Sequence, residues 1–246
     1  MTDFKIGIQL YAVRDHFLTD MPGTLKSLSE MGYQEVEGFW VYPCRAAELD
    51  KMLKDNGLSM CGWHVGLDHL TVDKYMATLE YHDRIGNRIL GLNAGPEMLD
   101  NPDKIKSLRD QMLEASDRLA AQGFILEYHN HWWELESGAY YELMDDCSLH
   151  AQFDMGNALK GGVHVADLLG KYSGRLAAAH MKPYSLEKGF ECVIGDQNDS
   201  VRWQDIISAL DKEGVEHLTI EYESVTDQME LAQKNIQGLK KILGRS

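Results

Sequence analysis

Short apolar, β-prone runs alternate with helix-patterned stretches eight times along the chain. That rhythm admits few folds, because repeated strand–helix pairs build parallel sheets whose crossovers share one hand. Strands are expected at Lys5–Leu10, Glu35–Phe39, Ser59–His64, Arg88–Leu92, Phe124–His129, His150–Asp154, Leu176–Met181 and His217–Tyr222. The first helix opens at Met21-Pro22 and stops at Gly32; the second, Ala46–Asn56, stops at Gly57. Glycine just past a helix supplies the left-handed turn that ends it. Val72–Ile85 is the third, and the fourth runs from Asn101-Pro102, a capping Asn before a first-turn Pro, to Gly123. Tyr140–Asp146, Val165–Tyr172, Gln204–Glu213 and Gln228–Leu243 complete the set. No linker or repeat interrupts the 246 residues, so the expectation is one α/β domain, 1–246, folded as a (β/α)₈ TIM barrel. A doubly wound open sheet is the alternative, without its phosphate fingerprint: Gly7-Ile8-Gln9-Leu10-Tyr11 is not Gly-x-Gly-x-x-Gly.

Composition narrows the function classes. With 44% hydrophobic residues the chain can fill a barrel core, yet no run reaches the length of a bilayer span. The net charge of −15 opposes binding to nucleic acid or an anionic membrane surface. Cys44, Cys61, Cys147 and Cys192 lack paired spacing and read as reduced thiols. Together with an N-terminus, Met-Thr-Asp-Phe-Lys, unlike a signal peptide, they lead to an expected cytoplasmic location.

Chemistry gathers where the strands end. Phe124–Glu136 turns from apolar to Glu-Tyr-His-Asn-His-Trp-Trp-Glu, and period two puts Glu127, His129 and His131 on one strand face. Glu37, Trp63 and His64, Asp154 and Asn157, His180 and Lys182, and Glu221 and Glu223 end other strands. The opposite ends are nearly bare of such groups, and a barrel builds its active site at the C-terminal mouth. Carboxylates plus imidazole from separate strands can hold a divalent cation and leave coordination positions open for substrate.

Several motifs resemble the sugar phosphate isomerase/epimerase family of xylose isomerase-like barrels, which includes inosose dehydratase and ketose 3-epimerases. They are Tyr128-His129-Asn130-His131, Phe153-Asp154 with Gly161-Gly162-Val163, Tyr172-x-Gly174-Arg175, His180-x-Lys182 and Ile220-Glu221. Gly7-Ile8-Gln9-Leu10-Tyr11-x-Val13-Arg14-Asp15 and His64-Val65-Gly66-Leu67-Asp68 extend the likeness toward the N-terminus. The resemblance implies one divalent ion, and oxygen-rich ligation favours manganese or magnesium, with zinc or cobalt able to occupy the same shell. Its ligands would be Asp154, His180, Glu221 and a further carboxylate, Glu134 ahead of Glu127. One departure is Gly195-Asp196-Gln197, where relatives often carry Gly-Glu-Gly.

The expected activity is isomerisation or epimerisation of a sugar or keto-sugar by proton transfer through an enediolate. Glu134, Glu221, His129 and His131 are the acid–base candidates; Glu37, His64, Asn130, Lys182 and Trp63 are the candidates for substrate contact. A metal-dependent dehydratase or lyase on a cyclitol or 3-keto-glycoside, and a non-catalytic sugar-binding barrel, are the alternatives. A sugar or cyclitol is the expected partner, with a second copy of the chain as another.

Overall fold

The computed structural model describes residues 2–245 except Val225; Met1 of the N-terminal stretch lies outside the described residues. Eight parallel strands close on themselves in chain order. They are β1 (Lys5–Gln9), β2 (Glu35–Phe39), β3 (Ser59–His64), β4 (Ile89–Leu92), β5 (Ile125–His129), β6 (His150–Asp154), β7 (Leu176–Met181) and β8 (His217–Ile220). Pairing of Lys5–Ile8 with His217–Ile220 makes the closure and excludes the open sheet.

The surrounding helices are α1 (Arg14–Thr19), α2 (Met21–Met31), α3 (Ala46–Asp55), α4 (Tyr75–Arg84), α5 (Pro102–Ala120) and α6 (Trp132–Ser137). α7 (Ala139–Met144), α8 (Met155–Lys160), α9 (Val165–Lys171), α10 (Trp203–Glu213) and α11 (Gln228–Ile242) follow. Asn101 caps α5 by accepting from the Lys104 N–H at 3.0 Å. Gly32 ends α2 in the left-handed region at φ 97°. The short helices α1, α6 and α8 are absent from the sequence expectation, since one or two turns carry too little periodicity to register. β8 stops at Ile220, which leaves Glu221 and Tyr222 just past the strand.

The apolar core lies mainly between strands and helices. Phe153, fully buried on β6, meets Tyr140 and Tyr172 at ring separations of 5.9 and 5.6 Å. Trp63 on β3 faces this outer layer and stacks on Tyr42 at 5.5 Å. The barrel interior, by contrast, is polar near the mouth. Gly62 and Gly91 make that possible, because a Cβ at either would stand 2.8 Å from Glu37 or 2.6 Å from His64.

A buried imidazole on the helical side makes the fold sensitive to acid. His82 of α4 is fully buried, with the Tyr42 hydroxyl 3.1 Å from Nε2 and the Asn87 amide nitrogen 3.2 Å from Nδ1. The amide donates to Nδ1, so the ring is neutral with its hydrogen on Nε2. Burial, aided by His69, pushes its pKa down to about 3. The unfolded imidazole titrates near 6.5, so its contribution is complete above that pH and is lost as pH falls toward 3. The slope approaches about 1.4 kcal/mol per pH unit. Denaturant titrations should therefore show His82→Gln less stable at neutral pH, with a shallower loss between about pH 6.5 and 4.5 than the parent.

Candidate active site

The strand ends place their polar side chains in a buried, linked set. Gln152 of β6 stands at its centre: its amide nitrogen donates to Glu37 Oε1 and Glu127 Oε1, each at 2.6 Å. With both amide hydrogens spent on carboxylates, its oxygen accepts from His64 Nε2 at 2.8 Å. Glu37 Oε2 lies 2.6 Å from His180 Nε2, and Glu221 Oε2 meets the other nitrogen, Nδ1. Lys182 Nζ reaches Glu223 at 2.6 Å, Glu221 at 3.2 Å and Asp154 at 3.8 Å.

Burial and neighbouring charge sort the protonation states. Burial opposes charge on His180, but Glu37 and Glu221 outweigh it and hold the imidazole well above its usual pKa. Burial would raise Glu37 and Glu221; His180 with His64 overcomes it for the first, Lys182 with His180 for the second, so both stay ionised. Glu127, buried beside the Glu37 charge, is driven the other way and keeps its proton. Burial pushes Asp154 up to about 6 against the pull of Lys182. His129 is held well below its usual value by burial and by His180, and is neutral.

Four of these residues, His129, Asp154, His180 and Glu221, each bring a nitrogen or carboxylate oxygen within 4.8 Å of the others. His64, His129 and His180 form an overlapping group. Asp154 supplies the test of whether the set fits an ion. Its Oδ1 accepts the Asn157 N–H at 2.7 Å, capping α8, while the buried Oδ2 accepts no hydrogen bond among the described residues and has the Lys182 ammonium 3.8 Å away. A buried carboxylate oxygen that accepts no hydrogen bond is costly, and a divalent cation in direct contact would offset more of that cost than an ammonium at 3.8 Å does. The donor set of two imidazoles and two carboxylates suits a divalent transition metal.

Above the cluster opens a cavity of about 370 Å³ bordered by His64, His129, His131, Asn157 and Glu221. Its walls are aromatic: Tyr11, Trp40, Trp132, Trp133 and Phe190. His131 stacks on Trp133 at 4.2 Å, and the Lys160 ammonium sits 4.1 Å over Trp132.

Several residues stand elsewhere than the sequence suggested. Glu134 is outside the four-residue cluster: α6 carries it behind His131, whose Nδ1 lies 3.2 Å from Glu134 Oε1. The missed helix is the reason, since continuing the strand would have kept Glu134 on the barrel wall. Glu127 sits below, bound to Gln152, and Glu37 is likewise beneath the cavity with no edge on it. Asn130 turns its amide to the Asp154 backbone, accepting from the N–H at 2.9 Å and tying β5 to β6. Trp63 points to the helices, and Lys182 is buried among carboxylates. Gln152 was overlooked, although its position two residues before Asp154 puts both on one strand face. Asp196, in the segment that departs from Gly-Glu-Gly, accepts from the Asn198 and Asp199 N–H groups at 2.7 and 2.9 Å and so shapes its own loop.

Residues 25–242 match the family model for the xylose isomerase-like TIM barrel. The chain belongs to that family. No curated protein matches the sequence. Among solved structures, a sugar phosphate isomerase/epimerase from Parabacteroides distasonis superposes with a TM-score of 0.81 at 20% identity, covering 97% of this chain and 98% of that one. An L-ribulose 3-epimerase gives 0.68 at 15% identity over 98% and 95% of the two chains. A probable 3-DHS dehydratase from Bacillus anthracis gives 0.69 at 14% identity over 96% and 99%. At such identities these likenesses establish the xylose isomerase-like fold and nothing finer. Among the described residues, no helix is long and apolar enough to cross a membrane.

The Glu37–His180 contact has a measurable consequence. A carboxylate bonded to the far nitrogen of a ligating histidine fixes its tautomer and raises its basicity. Glu37→Gln should retain the fold yet weaken manganese binding by about 10- to 100-fold in calorimetric titration. Parent-like affinity would show that His180 is oriented by other contacts.

Proposed function

We propose that the protein is a divalent-metal-dependent isomerase or epimerase acting on a sugar or keto-sugar by proton transfer through an enediolate. The observation that carries this reading is the cluster of His129, Asp154, His180 and Glu221, of which His129 and Glu221 border an aromatic-walled cavity. These four residues would hold the ion, with manganese, cobalt or zinc suiting two imidazoles better than magnesium does. When bound there, a divalent cation supplies Lewis-acid stabilisation of negative charge on neighbouring carbonyl and hydroxyl oxygens.

The remaining work falls to the side chains. Glu221, kept ionised by Lys182 and His180, borders the cavity and is the base that takes the proton from carbon. His131 borders the same cavity from the β5 end, three strands away around the barrel, with Glu134 holding its Nδ1. That leaves its Nε2 to return a proton, to the opposite face for epimerisation or to the adjacent atom for isomerisation. His64, anchored through Nε2 by Gln152, presents Nδ1 as an acceptor for a substrate hydroxyl. The aromatic walls pack on the C–H faces of a sugar ring and exclude water.

A second reading keeps the site and changes the outcome. Loss of a β-hydroxyl after the same proton abstraction gives dehydration, the activity named for the Bacillus anthracis neighbour. We place the protein in the cytoplasm, where its four free cysteines would stay reduced. An endonuclease role is disfavoured by the net charge of −15.

Glu221→Gln should lower turnover by about 10²- to 10⁴-fold, and Glu134→Gln by a smaller factor, with metal content checked in both. Ketoses and inososes in deuterated water should acquire a carbon-bound deuteron in the product. Near-normal rates in both variants would end the assignment of these residues, and turnover without deuterium would end the proton-transfer mechanism.

A further inference from the structure

A second cavity, of about 300 Å³, lies beside the mouth and shares two residues with it, Phe190 and Glu223. Phe190 is the partition. Its ring lies 4.7 Å from the Lys182 ammonium and 5.0 Å from that of Lys160, and edge-on to Tyr184 at 5.1 Å. Beyond Phe190 the mouth cavity therefore adjoins a space that the cluster chemistry does not use.

The loop that builds this space is held in place. Residues 182–202 join β7 to α10, longer than most connections in such barrels. Ser185 and Gly189 exchange backbone hydrogen bonds at 2.7 and 2.9 Å, setting the turn before Phe190. Asp199 accepts from the Gly195 N–H at 2.8 Å and from the Trp203 indole. The Ile194 N–H donates to Asn235 of α11 at 2.9 Å. Gly238 on the same helix lets the Ile194 carbonyl approach, for a Cβ there would stand 2.0 Å from it. The wall is thus formed before any ligand arrives, which lowers the cost of binding.

Its chemistry selects the occupant. Phe190, Tyr222, Val193 and Leu231 offer apolar faces, Glu191 and Glu223 offer carboxylates while Asp196 spends its own on loop N–H groups, and among the described residues no lysine or arginine lines the cavity. Flat apolar surfaces take the C–H face of a pyranose, and carboxylates accept strong hydrogen bonds from its hydroxyls. A phosphate or carboxylate substituent would meet the carboxylates of Glu191 and Asp196, while the nearby Lys182 ammonium is already held by Glu223 at 2.6 Å.

We propose that the cavity beyond Phe190 is a second subsite for a neutral sugar residue, so that the substrate is an unphosphorylated glycoside with its reacting ring over the metal cluster. The proposal rests on the mouth cavity being the reacting site. It assigns substrate length and charge to the β7–α10 loop. Glu191, an exposed residue on the rim of the second cavity, controls entry to it without touching the cluster.

Saturation-transfer NMR on the full chain with zinc tests this without requiring turnover, using cellobiose, maltose and lactose against glucose and glucose 6-phosphate. At least one disaccharide should receive saturation in both rings and bind about tenfold tighter than glucose, with glucose 6-phosphate weakest. Glu191→Trp should abolish saturation of one ring and leave the other, with an unchanged melting temperature. Glu191→Lys, a smaller change, should narrow the gap between glucose and its phosphate. Single-ring contact for all three disaccharides, or parent-like spectra in both variants, would overturn the subsite. Two-ring binding without deuterium exchange at carbon in any sugar would sink the isomerase reading and leave the subsite standing.

Discussion

His180 lies between two buried carboxylates, Glu37 on one nitrogen and Glu221 on the other, and the barrel mouth is arranged around that contact. Each charge would be expensive alone in a protein interior, and each is tolerable because the next one neutralises it. Lys182 closes the chain of compensation on the Glu221 and Asp154 side. Gln152 closes it on the other side by bonding Glu37 and Glu127, of which only Glu37 is ionised. Removal of one member leaves its partner buried and unpaired, so the network acts as a unit.

This polar interior shapes the rest of the molecule. Residues that fill the centre of many such barrels are apolar and branched. Here the apolar packing shifts outward, to the shell where Trp63, Phe153, Tyr140 and Tyr172 are buried between strands and helices. Gly62 and Gly91 yield interior volume to Glu37 and His64, and a register shift between Val36 and Glu37 adjusts β2 against β3 at the same level. The stability of the shell is what lets the strand ends carry groups that oppose folding.

The mouth divides its labour between rigid strands and shorter connecting pieces. Strand ends supply the four clustered ligand-type side chains, and their spacing is set by the hydrogen-bonded ladder. The helices α6 and α8 and the β7–α10 loop supply Trp132, Trp133, Lys160 and Phe190, which frame what enters. The clustered ligand-type groups and the side chains that frame the cavity thus sit on different parts of the chain, and one set can vary without displacing the other.

Much of this was readable from the residues in order. Strand and helix rhythm is local, and period two within a strand assigns Glu127 and His129, or Gln152 and Asp154, to one face without any neighbour being known. The barrel and the mouth that gathers the polar groups follow from those patterns. Which acidic or imidazole groups come within reach of one another did not follow, because it depends on the stagger between strands and on side-chain direction. His129 therefore stands where Glu134 was expected, Glu134 having left the wall on a helix of six residues. Glu37, Asn130 and Lys182 spend their polar atoms on protein partners that lie distant in sequence. Local periodicity determined the frame and the end where the polar groups gather. Tertiary packing alone decided the contacts, because only closure of the cylinder puts charges from separate strands close enough to fix each other's state.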